Sequence, residues 1–85
     1  MKNVLYFSAP WCGPCKAMKP AFIALMEELG IKYELVDVSE QQAIARRYKV
    51  MGVPTIIVLE DGEPIARATG SRTREQLLKL INGEG

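Results

Sequence analysis

Apolar positions along this chain follow two periods, and the points where one gives way to the other mark the elements. Val4-Leu5-Tyr6-Phe7 is an unbroken apolar run of β-forming residues and predicts a buried strand. After Pro10 the spacing becomes helical: Met18, Phe22, Leu25 and Leu29 recur at intervals of four, three and four, and Gly30 follows as a stop. Tyr33 to Val38 predicts a second strand. Ser39 with Gln42 has the capping-box pattern for a short helix whose Ile44 and Tyr48 face inward, with Gly52 just beyond its end. Thr55 to Leu59 predicts a third strand, and Asp61-Gly62 is a hairpin signal into a fourth, Ile65 to Thr69. Pro64 removes a backbone donor near the start of that last strand, which favours a sheet edge. Thr73 and Gln76 give another capping box, and Leu77, Leu80 and Ile81 supply the apolar face of a final helix.

The resulting order is β-α-β-α-β-β-α. The first two strands flank a helical crossover and should be parallel, and the last two should be antiparallel through the tight turn. A four-stranded mixed sheet with helices on both faces, an α/β fold, satisfies both conditions. No linker, repeat or low-complexity stretch divides the chain, so residues 1–85 are read as one domain.

Composition narrows the chemistry. Apolar residues are 48% of the chain, enough for a packed interior. The net charge of +1 gives no reason to expect nucleic acid or an anionic membrane as partner. There is no histidine, which removes imidazole as base, proton shuttle and metal ligand. The apolar run at Val4 is too short for a signal peptide and leads straight into Trp11-Cys12, and no stretch is long enough to span a bilayer. A cytoplasmic protein is expected, in which a cysteine pair is reactive rather than structural.

That pair is Cys12 and Cys15, in Trp11-Cys12-Gly13-Pro14-Cys15, where the first strand hands over to the first helix. A Cys-x-x-Cys pair is also half of a zinc site, but the chain offers no further Cys or His, so no metal is expected. A structural staple is the other alternative. Closing so short a loop yields only about 2 kcal/mol in the chain-entropy model, so the pair is better explained as one that opens and closes. At a helix mouth, unpaired backbone N–H groups and the macrodipole favour an anion. Cys12 sits there and should be partly thiolate below the free-thiol value of about 8.5. Cys15, one turn further in, should be more buried. These positions make Cys12 the attacking sulfur and Cys15 the resolving one. Gly13 lets a partner backbone approach, and Pro14 fixes φ in the first turn, where its missing N–H costs little. Trp11 is read as an exposed aromatic lining a docking surface, and Met51 as a softer apolar residue at its rim. Arg46, Arg47 and Lys49 are read as a solvated basic face.

With these residues the chain resembles the thioredoxin family. Trp11 to Cys15 matches the family's active-site sequence, and Gly52-Val53-Pro54-Thr55 matches the loop that carries its cis-proline. Pro20 matches the proline that kinks its active-site helix, and Gly70 matches its late glycine beside the active site. The resemblance runs from Val4 onward and implies the minimal, glutaredoxin-sized form of the fold. It also implies that a cis bond at Pro54 aims the Val53 backbone at a substrate strand, which would pair by short β-augmentation. Two positions depart from the family's pattern: Tyr6 stands where it places a buried aspartate, and Leu35 where it places a lysine on the neighbouring strand.

The function expected is reduction of disulfides in proteins by dithiol exchange. The resemblance implies no cofactor beyond the Cys12–Cys15 disulfide, a monomer, and recharging by an external reductase of the NADPH-dependent kind. Two alternatives stay open: a glutaredoxin-like reductase that uses glutathione, and a non-catalytic binding module that uses the surface around Trp11. Against glutathione, the inner pair is Gly13-Pro14 and Ser71-Arg72 follows Gly70.

Overall fold

The computed structural model describes residues 1–83. Seven elements follow one another: β1 (Lys2–Ser8), α1 (Gly13–Leu29), β2 (Lys32–Asp37), α2 (Gln42–Arg47), β3 (Thr55–Glu60), β4 (Glu63–Thr69) and α3 (Arg74–Ile81). They form one four-stranded sheet in the order β2-β1-β3-β4. β1 runs parallel to β2, with Tyr6 beside Leu35, and antiparallel to β3, with Tyr6 beside Ile56. β3 and β4 pair antiparallel, so the sheet is mixed as the pattern predicts. Pro64 lies on edge strand β4, where its missing donor leaves no gap in a central ladder.

The unbroken apolar runs mark the two central strands because each is buried on both faces. From β1 and β3, Val4, Tyr6, Ile56 and Val58 face α1 and α3, where they meet Phe22, Leu25, Met26, Leu77 and Ile81. The alternate residues Leu5, Phe7, Ile57 and Leu59 form a second layer covered by Ile44 and Tyr48 from the α2 side. Fully burying one such side chain contributes about 1.5–3 kcal/mol, so the two layers supply the main stabilisation of a chain this short. Phe22 packs its ring against both Tyr6 (4.7 Å between centroids) and Tyr33 (5.8 Å), which fixes the height of α1 over the sheet.

Local chemistry sets the ends of the elements. Gly30, at φ 66°, closes α1: its amide donates to Glu27 O and the Ile31 amide to Met26 O. Asp61 and Gly62, at φ 52° and 87°, make the turn between β3 and β4. The capping box of α3 is complete, with Gln76 N donating to Thr73 Oγ1 (3.1 Å) and Thr73 N to Gln76 Oε1 (2.9 Å).

Three expectations need correction. Leu29 is 41% exposed, and Met26, four residues after Phe22, takes the last buried place on α1. As the final helical residue before the Gly30 turn, Leu29 has no further turn beyond it to enclose it. Ser39 does not cap α2, whose N-cap is Gln41 without a side-chain bond. The Asp37 carboxylate takes both the amide and the hydroxyl of Ser39 (2.8 and 2.6 Å), so that hydroxyl is already committed. Finally, α2 is closed by Lys49 in the left-handed region (φ 56°) rather than at Gly52, with Lys49 N donating to Arg46 O and Val50 N to Ala45 O.

Candidate active site

The carboxyl end of β1 delivers the chain to the mouth of α1. Cys12 is the N-cap, with extended backbone (φ −91°, ψ 103°), and its Sγ accepts the Cys15 amide at 3.2 Å. Most helices cap with a hydroxyl or carboxylate oxygen. Here sulfur takes that place, so an amide that would otherwise lack a partner points at the atom that carries the chemistry. Pro14 lies in the first turn, where its lack of an N–H leaves no bond unmade. Gly13 and Pro14 are exposed.

Cys12 and Cys15 are joined as a disulfide with Cα atoms 5.3 Å apart. Cys12 is 5% exposed and Cys15 1%, the expected order, although both are enclosed. Ala9, Val38 and Val53 pack around the pair as an apolar collar. Val38 was not singled out from the sequence. It lies at the end of the second predicted strand, and the only signal for its role is that its amide must pair near β1, which it does by donating to Ser8 O (2.9 Å).

Beside the collar is a groove of about 160 Å³ lined by Trp11, Val38, Val50, Met51, Gly52 and Val53. Trp11 is 75% exposed and Met51 97%, so large apolar side chains stand in water on its two sides. The Val53–Pro54 peptide bond is cis. Thr55 Oγ1 donates to Gly52 O (2.6 Å), and Gly70 N donates to Pro54 O (2.8 Å), so the loop is held from both ends. Gly70 therefore lies behind the Pro54 loop and outside the groove lining, at φ 97°.

The two positions that depart from the family's pattern are both close to Cys15. The buried Tyr6 hydroxyl donates to the Cys15 carbonyl oxygen at 2.7 Å. Burial pushes its phenol above the ordinary range, so at neutral pH it is an uncharged donor. Leu35 is partly exposed and lines a second cavity that adjoins Cys15. Arg46, Arg47 and Lys49 are exposed and none of them lines either cavity.

Among the described residues no helix is long and apolar enough to cross a membrane. The sequence and the fold agree with known proteins. The thioredoxin family model matches residues 1–83. The chain is 45% identical over 78 residues to the thioredoxin of Bacillus subtilis strain 168, a match covering 89% of this chain and 75% of that protein. In structure it is similar to a mutant thioredoxin from Halobacterium salinarum NRC-1, with a TM-score of 0.90 and 35% identity. That superposition covers 98% of this chain and 74% of that one. The thioredoxin of Fasciola hepatica also gives 0.90, at 30% identity, covering 99% of this chain and 81% of its own. A cysteine pair bonded at a helix mouth on this sheet, together with these relatives, makes the chain a member of the thioredoxin family and a protein thiol–disulfide oxidoreductase.

Proposed function

We propose that the protein reduces disulfides in other proteins, with Cys12 as the attacking sulfur and Cys15 as the resolving one. The observation that carries this assignment is the Cys15 amide aimed at Cys12 Sγ. A thiolate at that position receives a charge-assisted hydrogen bond and the positive end of α1, whereas Cys15 lies inside the first turn and gains neither.

In the reduced protein the Cys12 thiolate attacks one sulfur of a substrate disulfide. A Cys12–substrate bond forms, and the other substrate sulfur leaves with the electron pair and takes a proton from solvent. Cys15, having lost its proton, then attacks Cys12 Sγ. The internal disulfide forms and the second substrate thiol departs, so two electrons have moved from the protein to the substrate. An external reductase restores the dithiol. The electrons are held in the Cys12–Cys15 pair itself, and the reading needs no cofactor.

The Trp11–Met51–Val53 groove is the substrate platform in this reading. An extended segment lies across Val53 beside the cis bond, with apolar side chains against Trp11 and Met51, and Gly13 and Pro14 leave room for its backbone. We further place the protein in the cytoplasm, where such a pair is kept reduced between turnovers.

Mapped alkylation of the reduced protein tests the assignment. Near neutral pH, Cys12 should be modified well before Cys15, with an ionisation midpoint below about 8.5. Equal modification, or Cys15 first, would overturn it. In the same preparation, a glutathione titration that leaves the amide spectrum around Gly70 and Ser71 unmoved supports protein substrates. A saturating shift there would favour the glutathione-dependent alternative.

A further inference from the structure

The resolving step requires Cys15 to lose a proton, yet the residue is 1% exposed. It borders a cavity of about 280 Å³, room for several waters, which shares no lining residue with the Trp11 groove. The charged side chains on its walls are Lys16 and Lys19 from α1 and Asp37 from β2. From β1 the nearest titratable group is Tyr6, an uncharged phenol committed to the Cys15 carbonyl.

Asp37 is a poor acceptor for this proton. Its Oδ1 is held by the Ser39 hydroxyl and amide at 2.6 and 2.8 Å. Those bonds, with a smaller contribution from Lys19, keep its carboxyl below the ordinary range. A weak base cannot take a proton efficiently from a thiol. Electrostatic stabilisation of the thiolate is the route that remains. Lys19 follows Cys15 by four residues and so shares its helix face, whereas Lys16, which also reaches the cavity wall, is the adjacent residue about 100° around the helix. Lys19 is also half-buried where Lys16 is exposed. Lys19, Asp37 and Cys15 line the same cavity, and Lys19 is near enough to Asp37 to help lower its carboxyl.

We propose that Lys19 is a positioning residue for the resolving step, its ammonium stabilising the Cys15 thiolate across the cavity as the proton leaves to cavity water. The proton passes from Cys15 to water and on to solvent. The electron pair of the broken bond leaves on the substrate sulfur, which is protonated from solvent. The proposal rests on the reading of Cys15 as the resolving cysteine.

The test uses the full chain carrying Cys12→Ser, so that Cys15 is the only thiol, and follows thiolate absorbance against pH. Adding Lys19→Met should raise the midpoint by about half to one pH unit, the effect of losing one nearby unit charge screened by cavity water. Lys19→Arg should restore the original midpoint, and about 1 M salt should shrink the difference. Lys79→Met removes the same charge on α3 and should move nothing. With native circular dichroism in every variant, a Lys19→Met midpoint within about 0.2 units of the parent would overturn the proposal. So would an equal shift from Lys79→Met. Mixed-disulfide capture that is equal for Cys12→Ser and Cys15→Ser would instead overturn the resolving role, whatever the midpoints show.

Discussion

Replacing Tyr6 by phenylalanine removes one oxygen from the fully buried centre of β1 and separates structural from chemical work at this position. The hydroxyl donates to the Cys15 carbonyl oxygen at 2.7 Å. By α-helical geometry that carbonyl also accepts from the Lys19 amide, so deleting the phenol oxygen leaves no buried acceptor stranded. The ring keeps its packing on Phe22. The loss is one hydrogen bond, about 1 kcal/mol, which in a domain of this size lowers the melting temperature by roughly 4–8 °C. Catalysis should change by less than about tenfold, because the hydroxyl serves a carbonyl and is not a proton carrier for sulfur; a positioned acid or base would give about 10²–10⁴.

The stability difference also has a pH signature. Burial raises the phenol's folded pKa, so Tyr6 makes its full contribution below its unfolded value of about 10 and loses it as pH rises through the higher folded value. Parent and Tyr6→Phe should therefore converge in alkaline solution. The assay is turnover of a protein disulfide between about pH 6 and 9, with thermal melts over the same range and above it. A loss of about a hundredfold in Tyr6→Phe with the fold intact would refute this reasoning and make the phenol the proton carrier. Tyr6→Asp should act the other way on Cys15, raising its pKa by like-charge repulsion while costing stability through burial of a carboxylate.

Three further outcomes follow from the geometry. Trp11→Ala should change stability by no more than about 0.5 kcal/mol, since the side chain is 75% exposed, while lowering kcat/KM for a protein disulfide about tenfold and sparing a small-molecule disulfide. Thr73→Ala should cost about 1 kcal/mol in denaturant unfolding, by breaking the α3 capping box, with turnover unchanged. Gly70→Ala should cost roughly 1–2 kcal/mol because φ is 97°, and should raise KM for protein substrates, since the Gly70 amide anchors Pro54.

The central strands and the redox pair were legible because their signals are local. β1 and β3 are apolar on both faces, and the Cys12–Cys15 pair stands at a strand-to-helix junction in a chain with no further Cys or His, which favours redox chemistry over a metal site. The Thr73–Gln76 box was legible for the same reason, as its two partners are three residues apart. The misreadings arose where a competing group decided the outcome. Ser39 has the pattern of a cap, but Asp37, two residues earlier, claims its hydroxyl. Lys49 carries no turn signal, and its left-handed backbone is imposed by closure of α2 onto Val50. Val38 in the collar, and the cavity shared by Cys15, Lys19 and Asp37, depend on β1–β2 pairing, which no short window reports. The groove was partly legible: Trp11, Met51 and Val53 were marked as surface chemistry, but their convergence follows from the loop that Thr55 and Gly70 hold.

The division of labour between the two cysteines is tested most directly by covalent capture. The reduced Cys15→Ser protein, mixed with a disulfide-containing protein, should accumulate a mixed disulfide mapped by mass spectrometry to Cys12, since the attacking sulfur remains and the resolving one is gone. The Cys12→Ser protein, its only thiol 1% exposed, should capture little or nothing under the same conditions. Equal capture by the two variants, or capture chiefly through Cys15, would contradict the account.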